Sequence, residues 1–338
     1  MRFLVTGGAG YIGVPLIEQL LGKDNQVICL DRFFFGRESL SRIEKDPRLT
    51  LVQDDIRWFD PCYLKGVDVV IDLAALSNDP SGELNPAKTY DINYLGRLHV
   101  AKLSKEHGVS RYILASTCSV YGFHDEILDE ASSTNPLTTY AKSAVKAERD
   151  ILPLGNDRFT VIAPRFATVY GLAPRMRFDL AINAMILKLY KTGKIPVMRD
   201  GTQWRPFIHV KDVAKAYMKL AETDPGKVNG EVYNVGSDEQ NYQLQSLAKL
   251  IGDNSGKSYE LEWYGDPDKR SYRIDFNKIK TLGYKPDYSP RDAVKEIKEA
   301  LERGEINDDL KTRTVEWYKH LLSMENLPKN LTIKGTLL

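Results

Sequence analysis

A chain of 338 residues, 42% apolar and 28% charged, has an ordinary folded-protein composition and suits one large domain or two closely joined ones. Its 47 Lys and Arg against 46 Asp and Glu give a formal net charge of +1, which offers no basic stripe for nucleic acid or an anionic membrane. It lacks an apolar run of about 18 residues and a signal-peptide pattern, and Cys29, Cys62 and Cys118 are widely spaced without metal-like pairing, so a cytoplasmic chain with no metal and no disulfide is expected.

Short β-rich runs then alternate with helical patterns. FLVTG, QVICLD, LTLVQDD, VDVVIDLAA, RYILAST and FTVIAPRF are each bounded by turn formers, with helices expected over Tyr11 to Leu21, Tyr90 to Glu106 and Thr139 to Ile151. In the second helix Ile92, Leu95, Leu98 and Leu103 fall near helical spacing. The alternation predicts an α/β fold, a doubly wound parallel Rossmann sheet over residues 1–168 to which later segments return. From residue 169 to 338 it decays. Helical patterns among Pro- and Gly-rich loops there predict a smaller, mainly helical substrate lobe, with a loose tail after about Asn326.

Gly7, Gly10 and Gly13 form a GxxGxxG loop, with Tyr11 and Ile12 inside it, between the first strand and the first helix. Backbone amides there can approach a pyrophosphate. Asp31 ends the second strand, where a carboxylate binds ribose hydroxyls and disfavours a 2′-phosphate; NAD is the expected cofactor, although the adjacent Arg32 argues the other way. Asp55 and Ile56 follow the third strand, beside the adenine position, and Leu73, Ala74 and Ala75 end the fourth, where small residues let a dinucleotide pass. Ile56 and Ala74 are equally suited to core packing.

The fifth strand ends in STCSVYG, placing small hydroxyls at the ligand-binding edge of the sheet, and YAKSA follows at a helix start. Together TGGAGYIG, STCSVYG and YAKSA resemble the extended short-chain dehydrogenase/reductase family, specifically its NAD-dependent nucleotide-sugar epimerases and dehydratases. DINYLG, RPFIHVKDVAKA, VYNVG and RSYRIDFNKIKTLGYKP extend the resemblance over nearly the whole chain. It implies that Thr117 hydrogen-bonds the sugar hydroxyl, that Tyr140 removes its proton, and that Asn93 orients water or backbone at the cofactor.

The chain departs from that pattern at Ala144, one helical turn from Tyr140, where the resemblance implies a lysine that lowers the phenol pKa and holds the nicotinamide ribose. Lys142 and Lys146 point about 160° and 120° away from Tyr140 and do not replace it. Ala144 reads either as a substitution made to trap a substrate or as a natural member with weak turnover. Cys118 and Ser119 stand where sugar 4,6-dehydratases carry Asp and Glu. Their presence argues against 4,6-dehydration and leaves Cys118 as a thiol that moves a proton or as a small buried hydrophobe.

The resemblance implies a nucleotide-diphosphate sugar as partner, with Ser77, Thr117, Ser119, Thr168, Arg175, Arg177, Arg205 and Arg270 as candidate contacts. UDP-galactose epimerases carry asparagine where Thr168 stands, which argues against that substrate. The reading is a C4 epimerase impaired at Ala144; the alternatives are a C4 dehydrogenase or reductase on a hexose or heptose, and a binding protein without turnover. A homodimer through Leu95, Leu98, Val145 and Ile151 is also implied.

Overall fold

The computed structural model describes residues 1–266 and 270–331. Its strands are β1 Arg2–Thr6, β2 Gln26–Asp31, β3 Leu49–Gln53, β4 Val69–Asp72, β5 Arg111–Leu114, β6 Ser116–Thr117, β7 Phe123–Leu128, β8 Thr160–Phe166, β9 Thr168–Tyr170, β10 Lys194–Met198, β11 Trp204–His209, β12 Glu231–Val235, β13 Asn241–Gln243, β14 Glu260–Tyr264 and β15 Ser271–Ile274. Its α-helices are α1 Gly13–Leu21, α2 Asp79–Glu83, α3 Pro86–Tyr90, α4 Arg97–Glu106, α5 Thr139–Ile151, α6 Ala181–Thr192, α7 Val210–Glu222, α8 Pro225–Val228, α9 Leu244–Asp253, α10 Asn277–Lys280, α11 Pro290–Glu302 and α12 Thr314–Leu331.

The main sheet runs β12-β8-β5-β4-β1-β2-β3 and every pairing in it is parallel, with β6 a short extension against β8. β4, β5 and β8 are buried along their whole lengths, as parallel strands covered on both faces must be, and this is why they read as near-continuous apolar runs. Leu16, Ile17 and Leu20 of α1 cover one face with Val213 and Tyr217 of α7. Val100 and Ala101 of α4 cover the other with Ala147 and Ile151 of α5. Between β1 and β4 the strand order reverses, which opens a crevice at the carboxyl edge of the sheet.

The helix expected from Tyr90 to Glu106 is instead α3, a π-turn over Asp91–Gly96, and α4. The wide turn advances the register of everything after it. Leu95, expected on the apolar stripe, is therefore 51% exposed, while Arg97 is only 4% exposed.

The second lobe packs α6, α9 and α11 around a core of their own that includes Ile186, Ile251 and Ile297. More strand is found around it than expected: β13-β11-β9, β10-β14 and β15-β7 form three small sheets, the last joining β15 to β7 of the first part of the chain. Their strands are three to six residues long and broken by polar residues, which hides them from periodicity. The expected loose tail falls within α12 to Leu331, and beyond that outside the described residues.

Candidate active site

One cleft of about 760 Å³ lies over the switch point. At its floor the glycine loop has no room for side chains. A Cβ on Gly13 would sit 2.5 Å from the Gly8 carbonyl oxygen, and one on Gly7, whose φ is +66°, would sit 2.9 Å from the Ala74 amide nitrogen. Ile12 caps α1 without a side-chain hydrogen bond, but the Val14 amide already donates to the Gly10 carbonyl at 3.2 Å and Pro15 has no N–H, so the cradle is the glycine loop itself rather than the first turn of the helix. This cradle fits a dinucleotide pyrophosphate. Tyr11 lines the cleft, but its hydroxyl donates to the Gly171 carbonyl at 2.6 Å and accepts from Asn183 at 3.0 Å, tying the two lobes together.

Asp31 lines the same cleft, with its carboxylate fixed by the amides of Ala9 at 3.0 Å and Phe33 at 2.7 Å. Arg32 is engaged: its Nη1 lies 2.5 Å from Asp55 Oδ2. Burial alone would raise the Asp55 carboxyl, but hydrogen bonds from Arg57 and Arg32 outweigh it and lower the pKa to about 2. The pairing offsets the positive charge that argued for a 2′-phosphate. Ile56, Leu73, Ala74 and Ala75 also line the cleft, whereas Asn93 does not. It holds backbone, one of its two expected tasks: Oδ1 accepts the Leu76 amide at 2.8 Å and Nδ2 donates to the Leu76 carbonyl at 3.1 Å, fixing the loop after β4.

Thr138 caps α5 by accepting the Ala141 amide at 3.2 Å, so Tyr140 stands in the first turn of that helix and lines the cleft together with Thr117. Burial and the Asp79 carboxylate raise the Tyr140 pKa above its usual value; the Thr117 bond and the positive charges of Arg97 and Arg177 oppose them. Ala144 is buried in the core below. Ser119 lines the cleft beside Thr117, but Cys118 does not. Of the two readings of Cys118, its placement fits the small buried hydrophobe: it is 1% exposed, its Sγ donates to the Arg165 carbonyl at 3.3 Å, and burial pushes the thiol well up.

Ser77, Thr168, Arg175 and Arg177 line the cleft. Arg177 donates to Asp179 at 2.7 Å and to Ser77 Oγ at 3.2 Å, near enough to Tyr140 for its charge to act there. Arg175, expected at the sugar nucleotide, is placed instead at the Asp31 end, its guanidinium 3.6 Å above the Phe35 ring and 2.9 Å from Thr314 Oγ1. Arg205 and Arg270 stand outside the lining of the cleft. Arg270 pairs with Asp79 at 2.5 Å, and Arg205 lies 5.3 Å from the centre of the Tyr272 ring.

The sequence reading missed three contributors to this lining: Arg97, Tyr272 of β15, and α12, which brings Thr314 and Tyr318 over the cleft. The only signal for Arg97 was a charged residue inside an apolar helical pattern.

A sheet of this order with a glycine cradle at its switch point makes the chain a Rossmann-type dinucleotide-binding protein. It belongs to the NAD dependent epimerase/dehydratase family, whose model matches residues 3–236. It is 30% identical over 315 residues to the uncharacterized UDP-glucose epimerase YtcB of Bacillus subtilis, covering 88% of this chain and 95% of that protein. It is 28% identical over 324 residues to UDP-glucuronic acid decarboxylase 1 of Arabidopsis thaliana, covering 91% and 72%. Among solved structures, UDP-glucuronic acid 4-epimerase from Bacillus cereus, in complex with UDP-glucuronic acid and NAD, superposes with a TM-score of 0.81 at 25% identity, covering 90% of this chain and 99% of that one. No helix among the described residues is long and apolar enough to cross a membrane.

Proposed function

We propose that this chain is an NAD-dependent nucleotide-sugar epimerase acting at C4. The observation that carries the reading is that Thr117 and Tyr140 line the same cleft as the glycine loop and Asp31. The likeness to the UDP-glucose epimerase of Bacillus subtilis and the UDP-glucuronic acid 4-epimerase of Bacillus cereus supports a UDP-sugar as substrate. Thr117 holds the C4 hydroxyl, and Tyr140 takes its proton and later returns it. Bound NAD supplies the acceptor and donor of the C4 hydride. The lobe from residue 169 onward holds the nucleotide diphosphate, with Arg177 facing the sugar and Arg205 and Arg270 behind Tyr272 and Asp79. Ser119 borders the sugar subsite.

A phenol with an ordinary pKa of about 10 is a poor base near neutral pH. On α5 alone, Ala144 makes this chain an impaired epimerase, unless a cation from another element serves Tyr140. Free thiols at Cys29, Cys62 and Cys118 support a reducing cytoplasm as its location. We place a homodimer contact on the face bearing exposed Leu95, with Leu98 and Val145 at its edge; Ile151 is removed from that surface because it is fully buried.

The test is proton NMR of pooled UDP-, GDP- and dTDP-sugars incubated with NAD and the chain. New anomeric signals without net NADH support epimerisation. Accumulating NADH with a keto product supports a C4 dehydrogenase or reductase on a hexose or heptose. Bound but unchanged sugar supports a binding protein without turnover.

A further inference from the structure

Resting on the epimerase reading and deepening it, we propose that Arg97 is the cationic partner of Tyr140, delivered from the π-turn into the cleft in place of a lysine on α5. Arg97 opens α4, is 4% exposed, and lines the cleft together with Tyr140 and Thr117. The π-turn and α4 both pack against α5, the helix that carries Tyr140 and Ala144. The guanidinium reaches across the end of β4: Nη2 donates to the Asp72 carbonyl at 2.8 Å, and Nε lies 3.5 Å from Asp72 Oδ2 without a hydrogen bond among the described residues.

A buried arginine whose only purpose is packing is costly, so its partners indicate what it does. The Asp72 carboxylate is shared: it also accepts hydroxyls from Thr6 of β1 and Tyr112 of β5. On the other side stands Tyr217 of α7, fully buried, with a hydroxyl that has no hydrogen-bond partner among the described residues. The positive charge of Arg97 opposes the rise that burial gives both phenols, Tyr217 and Tyr140. Arg97 and Arg177 are the cations whose charge lowers Tyr140, against burial and Asp79. Arg177 is itself paired with Asp179 at 2.7 Å. Arg97 stands 3.5 Å from an Asp72 carboxylate that Thr6 and Tyr112 also engage, a looser pairing than that of Arg177, so it is the less offset of the two cations, and Ala144 leaves α5 without a competing one.

Arg97 acts through Tyr140 and is a positioning residue. A guanidinium stays protonated at every working pH, so it stabilises phenolate without itself passing a proton.

The experiment is a pH titration of carbon-13-labelled tyrosine in the NAD complex, with the Tyr140 signal assigned by its loss in Tyr140→Phe. In Arg97→Met combined with Asp72→Asn, which removes the buried pair without leaving a bare charge, the Tyr140 midpoint should rise by about 1 to 3 pH units. Arg97→Lys should retain most of the effect. Ala144→Lys in the otherwise unchanged chain should move the midpoint by less than about 0.5 unit, because the site already holds its cation. An unmoved midpoint in the double variant overturns the proposal, since a purely structural arginine would change only the melting temperature. If that variant does not fold, Ala144→Lys decides, and a drop of about one unit or more overturns the proposal. No sugar takes part in this titration, so failure of the epimerase reading in the turnover assay is read separately.

Discussion

Arg165 and Glu148 form a two-pronged buried ion pair, Nε to Oε1 at 2.9 Å and Nη2 to Oε2 at 2.6 Å, that fastens α5 to β8. Ser116 donates to the same carboxylate and Tyr121 accepts from Arg165 Nη1 at 2.9 Å, so the strand end bearing Thr117 and the helix bearing Tyr140 share one brace. Removing one partner leaves the other charge buried and alone. Glu148→Ala should lower unfolding stability by about 3 to 5 kcal/mol in denaturant titrations. The exposed Arg149 and Asp150 pair next to it provides the control: Asp150→Ala should cost less than about 1 kcal/mol.

Asp55 gives stability a definite pH dependence. Its carboxyl is 6% exposed and lowered from 3.8 to about 2, burial being outweighed by Arg57 and Arg32. A carboxyl held below its unfolded value stabilises the native state above the unfolded pKa and loses that contribution as pH falls through the folded one. The shift corresponds to about 2 kcal/mol near neutral pH, falling to about half of that at pH 3. Urea unfolding of Asp55→Asn beside the parent chain should show a gap of that size near neutral pH that narrows with acidification. A gap that widens in acid would contradict the assignment.

The placement of Cys118 predicts its chemistry. Cys29 and Cys118 are buried with thiols pushed well up, while Cys62 is exposed. An aromatic disulfide reagent should therefore titrate one thiol in the native protein and all three after denaturation. Cys118→Ala should leave turnover of any active sugar within about threefold. A loss of a hundredfold or more with unchanged stability would restore the thiol as a proton carrier.

The glycine loop, Asp31 and the strand alternation were legible in the sequence because each is written in neighbouring residues: a turn without side chains, an acid at a strand end, a period of apolar runs. Arg97 was not, because its burial depends on a π-turn whose extra residue leaves no periodic trace and turns Leu95 outward in its place. Arg175 and Arg177 make the same point two residues apart. They are indistinguishable in APRMRFD, yet one stacks on Phe35 under α12 and the other binds Asp179 and Ser77 near Tyr140. What separates them is the return of Thr314 and Tyr318 from the far end of the chain, a contact that no local pattern encodes.

Arg175 provides a further test at the cofactor end of the cleft. It is 8% exposed, makes no salt bridge among the described residues, and its Nε has no hydrogen-bond partner there; burial and the like charge of Arg177 lower its pKa to about 10. Phe35 and Tyr318, with ring centres 5.5 Å apart, hold it at the Asp31 end, and Trp317 secures α12 by donating to the Phe34 carbonyl at 2.8 Å. A buried cation that makes no salt bridge among the described residues is a cost in the free chain that a bound pyrophosphate offsets. Arg175→Met should therefore leave the free protein at least as stable as the parent. It should also weaken NAD binding by about tenfold or more in calorimetric titration, and shrink the thermal stabilisation that saturating NAD confers. If the variant lost stability without NAD and bound NAD normally, Arg175 would be a structural support for α12 and the anion would be held by the glycine-loop amides alone.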